Sequence, residues 1–226
     1  MKTMQFINWQ NSFLAFSLAL LTACSTTSQA QNRNSQTADT SNQHHMNHHD
    51  MNHNMAMDLG PADANYDLRF IDAMIPHHQG ALNMANVAKQ KSTRPEIKQL
   101  ADEIIKAQTQ EINQMKRWRK TWYPKAGNQP MAYDAKMGHM MPMSSEQMQS
   151  MMMDVNLGEA DAEFDLRFIN AMIPHHEAAV VMAKDALQKS QRPEIKNLAQ
   201  AIIKGQNTEI NQMQQWQKTW YKSSAS

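Results

Sequence analysis

Along this chain the hydrophobic positions return at steps of three and four. Asp67, Phe70, Met74, His77, Ala81, Met84 and Ala88 follow that spacing, and so, further on, do Ile97, Ala101, Ile104, Gln108, Glu111, Met115, Trp118 and Trp122. Each set lies along one face of a helix. All fifteen residue types recur 98 positions later, from Asp165 to Trp220, without insertion or deletion. A constant offset means that one helical unit is used twice, over Asp63 to Tyr123 and again over Asp161 to Tyr221. His77, Gln108 and Glu111 sit among the apolar members of these faces, which a plain core does not require.

Within a repeat the second helix starts near Arg94 and Pro95, a residue tolerated in a first turn. Thr93 and Glu96 have the spacing of a capping box, which repeat two lacks because Gln191 replaces Thr93. The short turn around Ser92 to Arg94 makes the two helices antiparallel neighbours. Equal rise along both then pairs residues whose numbers sum to about 187, so that His77 lies roughly level with residue 110 and Met74 with residue 113. Gln108, Glu111 and Met115 arrive beside His77 and His78, and one cluster per repeat is expected. An unpartnered buried Glu111 costs several kcal/mol, so a histidine, a hydrogen-bond network or a metal ion must accompany it. Pro76 inside the first helix removes a backbone hydrogen bond at a cost of roughly 3 kcal/mol, unless the helix breaks there.

Composition changes the picture at both ends and in the middle. Lys2 and a polar stretch precede an apolar run of 11 residues, Phe13 to Ala23, too short to span a bilayer. Residues 1–23 read as a signal peptide, and Leu21, Thr22, Ala23 and Cys24 resemble a bacterial lipobox in which Cys24 is lipidated. Cys24 is the one cysteine, so the chain has no internal disulfide and keeps no thiolate for a metal. Residues 24–62 read as a disordered tether. Within it His44, His45, Met46, His48, His49, Met51, His53 and Met55 fall in twelve residues, a metal-binding composition. The connector, residues 124–160, holds nine methionines between Met131 and Met153, with His139, Met140 and Met143 close together. Ser144 or Ser145 caps a short helix there. Residues 222–226 form a tail.

Loss of residues 1–23 removes only Lys2 among charged groups, so 21 basic groups balance 21 acidic ones. No basic stripe for nucleic acid is present, and six scattered glycines form no phosphate-binding loop. The enriched types are methionine, 21 residues, and histidine, ten. Thioethers favour copper(I) or silver(I), imidazole accepts copper in either oxidation state, and few carboxylates disfavour magnesium, calcium or iron. Methionine is also the soft ligand that survives where thiols oxidise. No Glu-x-x-His occurs, so a di-iron bundle is unsupported, and two adjacent histidines do not make an open three-ligand zinc site.

The doubled pattern of Asp67, Leu68, Arg69, Phe70 and Ile71, then Met74 to His78, Ala81 and Met84, then Gln108, Glu111, Met115 and Trp118, resembles the DUF305 family over residues 63–221. The resemblance implies an all-α fold, a ferritin-like four-helix bundle in which two repeated hairpins form one domain. It also implies the copper(I) binding known in extracytoplasmic members, in metal resistance. Carried over by motif position, the ligands are Met74, His77, His78, Met84 and Met115, with Met172, His175, His176, Met182 and Met213. Glu111 and Glu209 join them from the stripe, and the tether tract and His139, Met140 and Met143 from composition. The expectation is a lipid-anchored protein on the periplasmic face of a bacterial membrane that sequesters copper or passes it to an efflux pump or chaperone, without catalysis. A methionine-rich interaction module and a ferritin-like redox or hydrolytic enzyme are the alternatives.

Overall fold

The computed structural model describes residues 58–221. Four long helices dominate: α1 (Tyr66–Lys91), α2 (Pro95–Trp122), then after the connector α4 (Phe164–Lys189) and α5 (Pro193–Trp220). The connector folds into β1 (Met131–Asp134), β2 (His139–Pro142) and the short α3 (Ser145–Met152). The expected bundle of two hairpins is formed. No described helix is long and apolar enough to cross a membrane.

The turn between α1 and α2 corrects one expectation. Thr93 caps nothing: α2 begins at Pro95 behind Arg94 with no side-chain cap. Ser92 Oγ instead accepts from the Arg94 amide at 3.1 Å, and Ser190 does the same for Arg192 at 3.1 Å. A serine placed two residues before the turn's last amide satisfies it locally, so both repeats turn alike although only one has Thr93. Neither proline breaks its helix, since α1 runs through Pro76 and α4 through Pro174. The apolar face buried on each side of the proline offsets the missing hydrogen bond.

The hairpins meet through α1 and α4, which run antiparallel. Tyr66 at the start of α1 donates to Asp185 near the end of α4, at 2.8 Å, while His77 and His175 meet midway. An antiparallel pair of identical units has a pseudo-twofold axis, and only residues on that axis meet their own counterparts. His77 and His175 are that pair. The ends are closed by crossed clasps. Arg94 lies 4.2 Å over the Trp220 ring and 3.5 Å from Asp165, and Arg192 lies 4.3 Å over Trp122 and 3.4 Å from Asp67. Lys91 donates to the Gly158 carbonyl and Lys189 to that of Gly60.

These last contacts move the start of the repeat upstream. Leu59 and Leu157 are both buried, Gly60 and Gly158 both have positive φ, and Arg69 and Arg167 hold the carbonyls of Leu59 and Leu157. Residues 58–62 therefore belong to the bundle and not to the tether. The signal was in the sequence, since Leu59, Gly60, Ala62, Asp63 and Ala64 all recur at 98. Cys24 and the tether tract of His44, His45, Met46, His48, His49, Met51 and His53 lie outside the described residues.

The two strands were not foreseen. β1 and β2 pair antiparallel, with Ala132 opposite Met141 and Asp134 opposite His139. Asp134 Oδ1 accepts from the amides of Lys136 and Met137, and Gly138 closes the turn at φ 71°. An aspartate four residues before a glycine is a turn signal, masked here by strands too short to show alternation. The short helix was foreseen. Ser144 Oγ accepts from the Gln147 amide at 3.1 Å and Gln147 Oε1 from the Ser144 amide at 2.8 Å, a complete capping box.

Candidate metal centre

The core divides into two apolar clusters with a polar layer between them. One cluster joins the first half of α1 to the second half of α4 and includes Met74, Met115 and Met182. The other joins the opposite halves and includes Met84, Met172 and Met213. The expected grouping of one cluster per repeat is therefore corrected. Met84 lies ten residues, about 15 Å of helix, beyond Met74, and it shares a cluster with methionines of the other hairpin. Antiparallel packing exchanges the far ends of the repeats. Spacing along one helix could not show this.

Four histidines fill the layer, all of them buried: His77, His78, His175 and His176. The rings of His77 and His175 have centroids 3.9 Å apart, and each lies a little over 6 Å from its own chain neighbour. Adjacent helical residues point about 100° apart, so His77 and His175 face the other hairpin while His78 and His176 face their own. Glu111 stands beside the histidine pair as expected, with His78 as its partner. His78 Nε2 stands 2.7 Å from Glu111 Oε2, and His176 Nε2 stands 2.6 Å from Glu209 Oε2. Gln108 and Gln206 are buried with them.

The histidine layer holds more hydrogen-bonding capacity than it uses. His77 Nδ1 and Nε2 and the Nδ1 atoms of His78, His175 and His176 are all buried without a partner. Five such nitrogens in four rings is far from the usual near-complete pairing of buried polar groups, and such exceptions need a physical reason. Burial, with the neighbouring imidazoles adding to it, holds the pKa of His77 well below the ordinary value. Burial and the charge of His176 push that of His175 down to about 3, against the opposing pull of the Met152 and His77 backbone groups. Both rings are neutral at pH 7, the form with a lone pair to give.

Glu111 and Glu209 are placed to orient histidines: a carboxylate on Nε2 keeps the proton there and leaves Nδ1 as the donor atom. Among the described residues no three His, Cys, Asp or Glu side chains converge as a metal-binding group. A complete shell therefore needs other donors. Met74 lies one helical turn before His77 and His78, and Met115 one turn after Glu111.

The connector residues are placed elsewhere. His139 is exposed, and Met140 borders a cavity with Leu68, Trp122 and Tyr123. Leu68 is nine residues, about 13 Å, from His77 along α1. Met143 lines a cavity of about 40 Å³ with Leu59, Arg69, Met131 and Met151. The part of the connector that does reach the histidines is a backbone group. His175 Nε2 donates to the Met152 carbonyl at 3.0 Å. A backbone carbonyl carries no residue-type signal, so this contact was not legible in the sequence.

The family model of a domain of unknown function, DUF305, matches residues 67–217. The chain belongs to the DUF305 family. Among solved structures it is similar to CopM in the Cu(I)-bound form, with 39% identity, a TM-score of 0.54 and coverage of 69% of this chain and 97% of that one. The Cu(II)-bound form gives 41% identity with the same score and coverage. A silver-bound form obtained by soaking gives 37%, again with the same score and coverage. The uncharacterized protein L153 of Acanthamoeba polyphaga mimivirus is 45% identical over 49 residues, which span 22% of this chain and 32% of that relative. As a DUF305 member the chain has the helical architecture that its motifs implied.

Proposed function

We propose that this DUF305 protein binds copper(I), with silver(I) as a surrogate, and that it holds or hands over the ion outside the cytoplasm. The observation that carries the reading is the set of five unpartnered nitrogens in four buried imidazoles, between two methionine clusters. Neutral imidazole and thioether suit a soft monovalent ion, which needs few ligands and no carboxylate charge. The CopM structures in Cu(I)-, Cu(II)- and silver-bound forms support the same metal class.

In this reading the donors are the Nδ1 atoms of His78, His175 and His176 and either nitrogen of His77. Met74, Met115 and Met182 stand on one side and Met84, Met172 and Met213 on the other. Glu111 and Glu209 act through His78 and His176. The tether histidines and methionines collect ions at lower affinity, Cys24 anchors the protein to a periplasmic membrane face, and a copper efflux pump or chaperone receives the ion. The protein is a carrier or store and has no substrate to turn over.

Competition against a chromophoric copper(I) chelator tests the assignment. The metal-free protein is expected to withdraw more than one copper(I) per chain and to prefer it to zinc. Replacing His77 and His175 together with alanine should lower that capacity while the helical circular dichroism persists. Inability of the unaltered protein to take copper from even a weak chelator would reject the proposal.

A further inference from the structure

The matched positions Gly80 and Ala178 differ between the repeats. A methyl group on Gly80 would stand 1.8 Å from the carbonyl oxygen of Met152, so the last residue of α3 lies against the backbone of α1. The same carbonyl accepts from His175 Nε2. Met153 follows in the left-handed region at φ 48°, where a non-glycine residue is rarely found. The turn it makes lets Asp154 accept from Asn83 at 2.7 Å and from Gln149 at 3.0 Å. On α4 the counterpart of Asn83 is Val181, which is 52% exposed. The connector thus seats on one repeat and reaches across to one histidine of the other.

We infer that the connector is a one-sided latch. Seated in the notch that Gly80 leaves, it holds the His175 proton on Nε2 and so presents Nδ1 as the ligand atom of that ring. A carbonyl only accepts, and a neutral imidazole that donates from one nitrogen has its lone pair on the other. His175 Nδ1 is the buried, unpartnered atom, whereas both nitrogens of His77 are unpartnered. The two halves of a repeated protein therefore present unlike sites: His175 is fixed in one tautomer, and His77 is free to use either. Gly80 and Met152 are positioning residues acting through His175. The consequence for the metal rests on the copper reading. The latch itself does not.

Side-chain nitrogen-15 NMR of the metal-free mature chain tests it. His175 is expected as the Nε2–H tautomer with a slowly exchanging proton. Gly80→Ala displaces the carbonyl and should speed that exchange by up to about tenfold, the equivalent of one lost hydrogen bond. Asp154→Ala loosens the strap from its solvent side without altering the core and should act in the same direction, more weakly. Ala178→Gly, at the matched position of α4, does not touch the Met152 contact and should leave the His175 ring unchanged. In the same samples Gly80→Ala should weaken silver(I) at one ion per chain by roughly tenfold. An Nδ1–H tautomer in the unaltered chain, or a His175 signal unmoved by both Gly80→Ala and Asp154→Ala, would overturn the latch. Absence of silver binding to the unaltered chain would reject the copper reading and leave the latch standing, because the tautomer is read without metal.

Discussion

The two hairpins share their stripe residues and differ in what covers them. In the first, Arg119 pairs with a buried Asp72, which also accepts from the Met131 amide, and Arg119 further donates to the carbonyls of Gly127 and Gln129. In the second the same two positions are Gln217 and an exposed Asn170, joined by one amide hydrogen bond of 2.6 Å. Tyr66 and Asp185 form a part-buried polar pair, and their counterparts Phe164 and Val87 are apolar. Arg69 is 1% exposed and Arg167 35%, though both hold equivalent carbonyls. The connector lies on α1, and the differences follow it. A charged pair is kept where irregular backbone must be tied down, and a neutral pair is enough where water does the solvating. The residues of the histidine layer, by contrast, are the same in both halves, and the connector touches one of them, His175, through the Met152 carbonyl. One part of the sequence is matched to its cover and the other to an axis.

The largest effect that would separate the halves is at this pair. Arg119→Ala leaves Asp72 buried without its cation and should cost about 3 kcal/mol, whereas Gln217→Ala should cost about 0.5 kcal/mol, measured by urea denaturation. Burial already outweighs the arginine and holds Asp72 above its usual pKa, so little reserve remains once the partner is lost. Equal costs would mean that the connector does not set the difference.

Acid should act on the layer the halves share. The pKa values of His77 and His175 are lowered in the folded state, so below about pH 6.5 the unfolded chain takes up protons that the folded chain refuses. Stability is then full above pH 6.5 and falls toward pH 3, with a slope approaching about 1.4 kcal/mol per pH unit for each histidine. Thermal melts across that range check it, and replacing both residues by phenylalanine should flatten the curve. A slope that persists in that variant would place the acid sensitivity in other groups.

The smallest effect should be common to both halves. Ser92→Ala and Ser190→Ala each remove an acceptor for a turn amide and should cost about 1 kcal/mol apiece. A difference of more than about 0.5 kcal/mol between them would show that the connector's influence extends to the hairpin turns.

Much of this was legible because helices write their faces at a fixed period. The stripe residues from Phe70 to Ala88 and from Ile97 to Met115 are buried apart from Glu111, which is partly exposed beside His78. Glu111 was expected beside the histidine pair, and it bonds the second member, His78. The capping box at Thr93 failed because two short motifs competed for one turn and the serine was better placed. The strands were hidden because four-residue segments with partial burial leave no pattern to read.

By itself the sequence determined the two hairpins, their faces, and the histidines and methionines set along them, since spacing within a helix and within a short turn is local. Which methionines share a cluster, which imidazole nitrogens are left without partners, and why His175 differs from His77 were decided only in the tertiary structure. Antiparallel docking of the repeats brings residue i of one against a distant residue of the other, and only at the axis does like meet like. The latch depends on a missing Cβ at Gly80, a feature of one position that acquires meaning when Met152 packs against it.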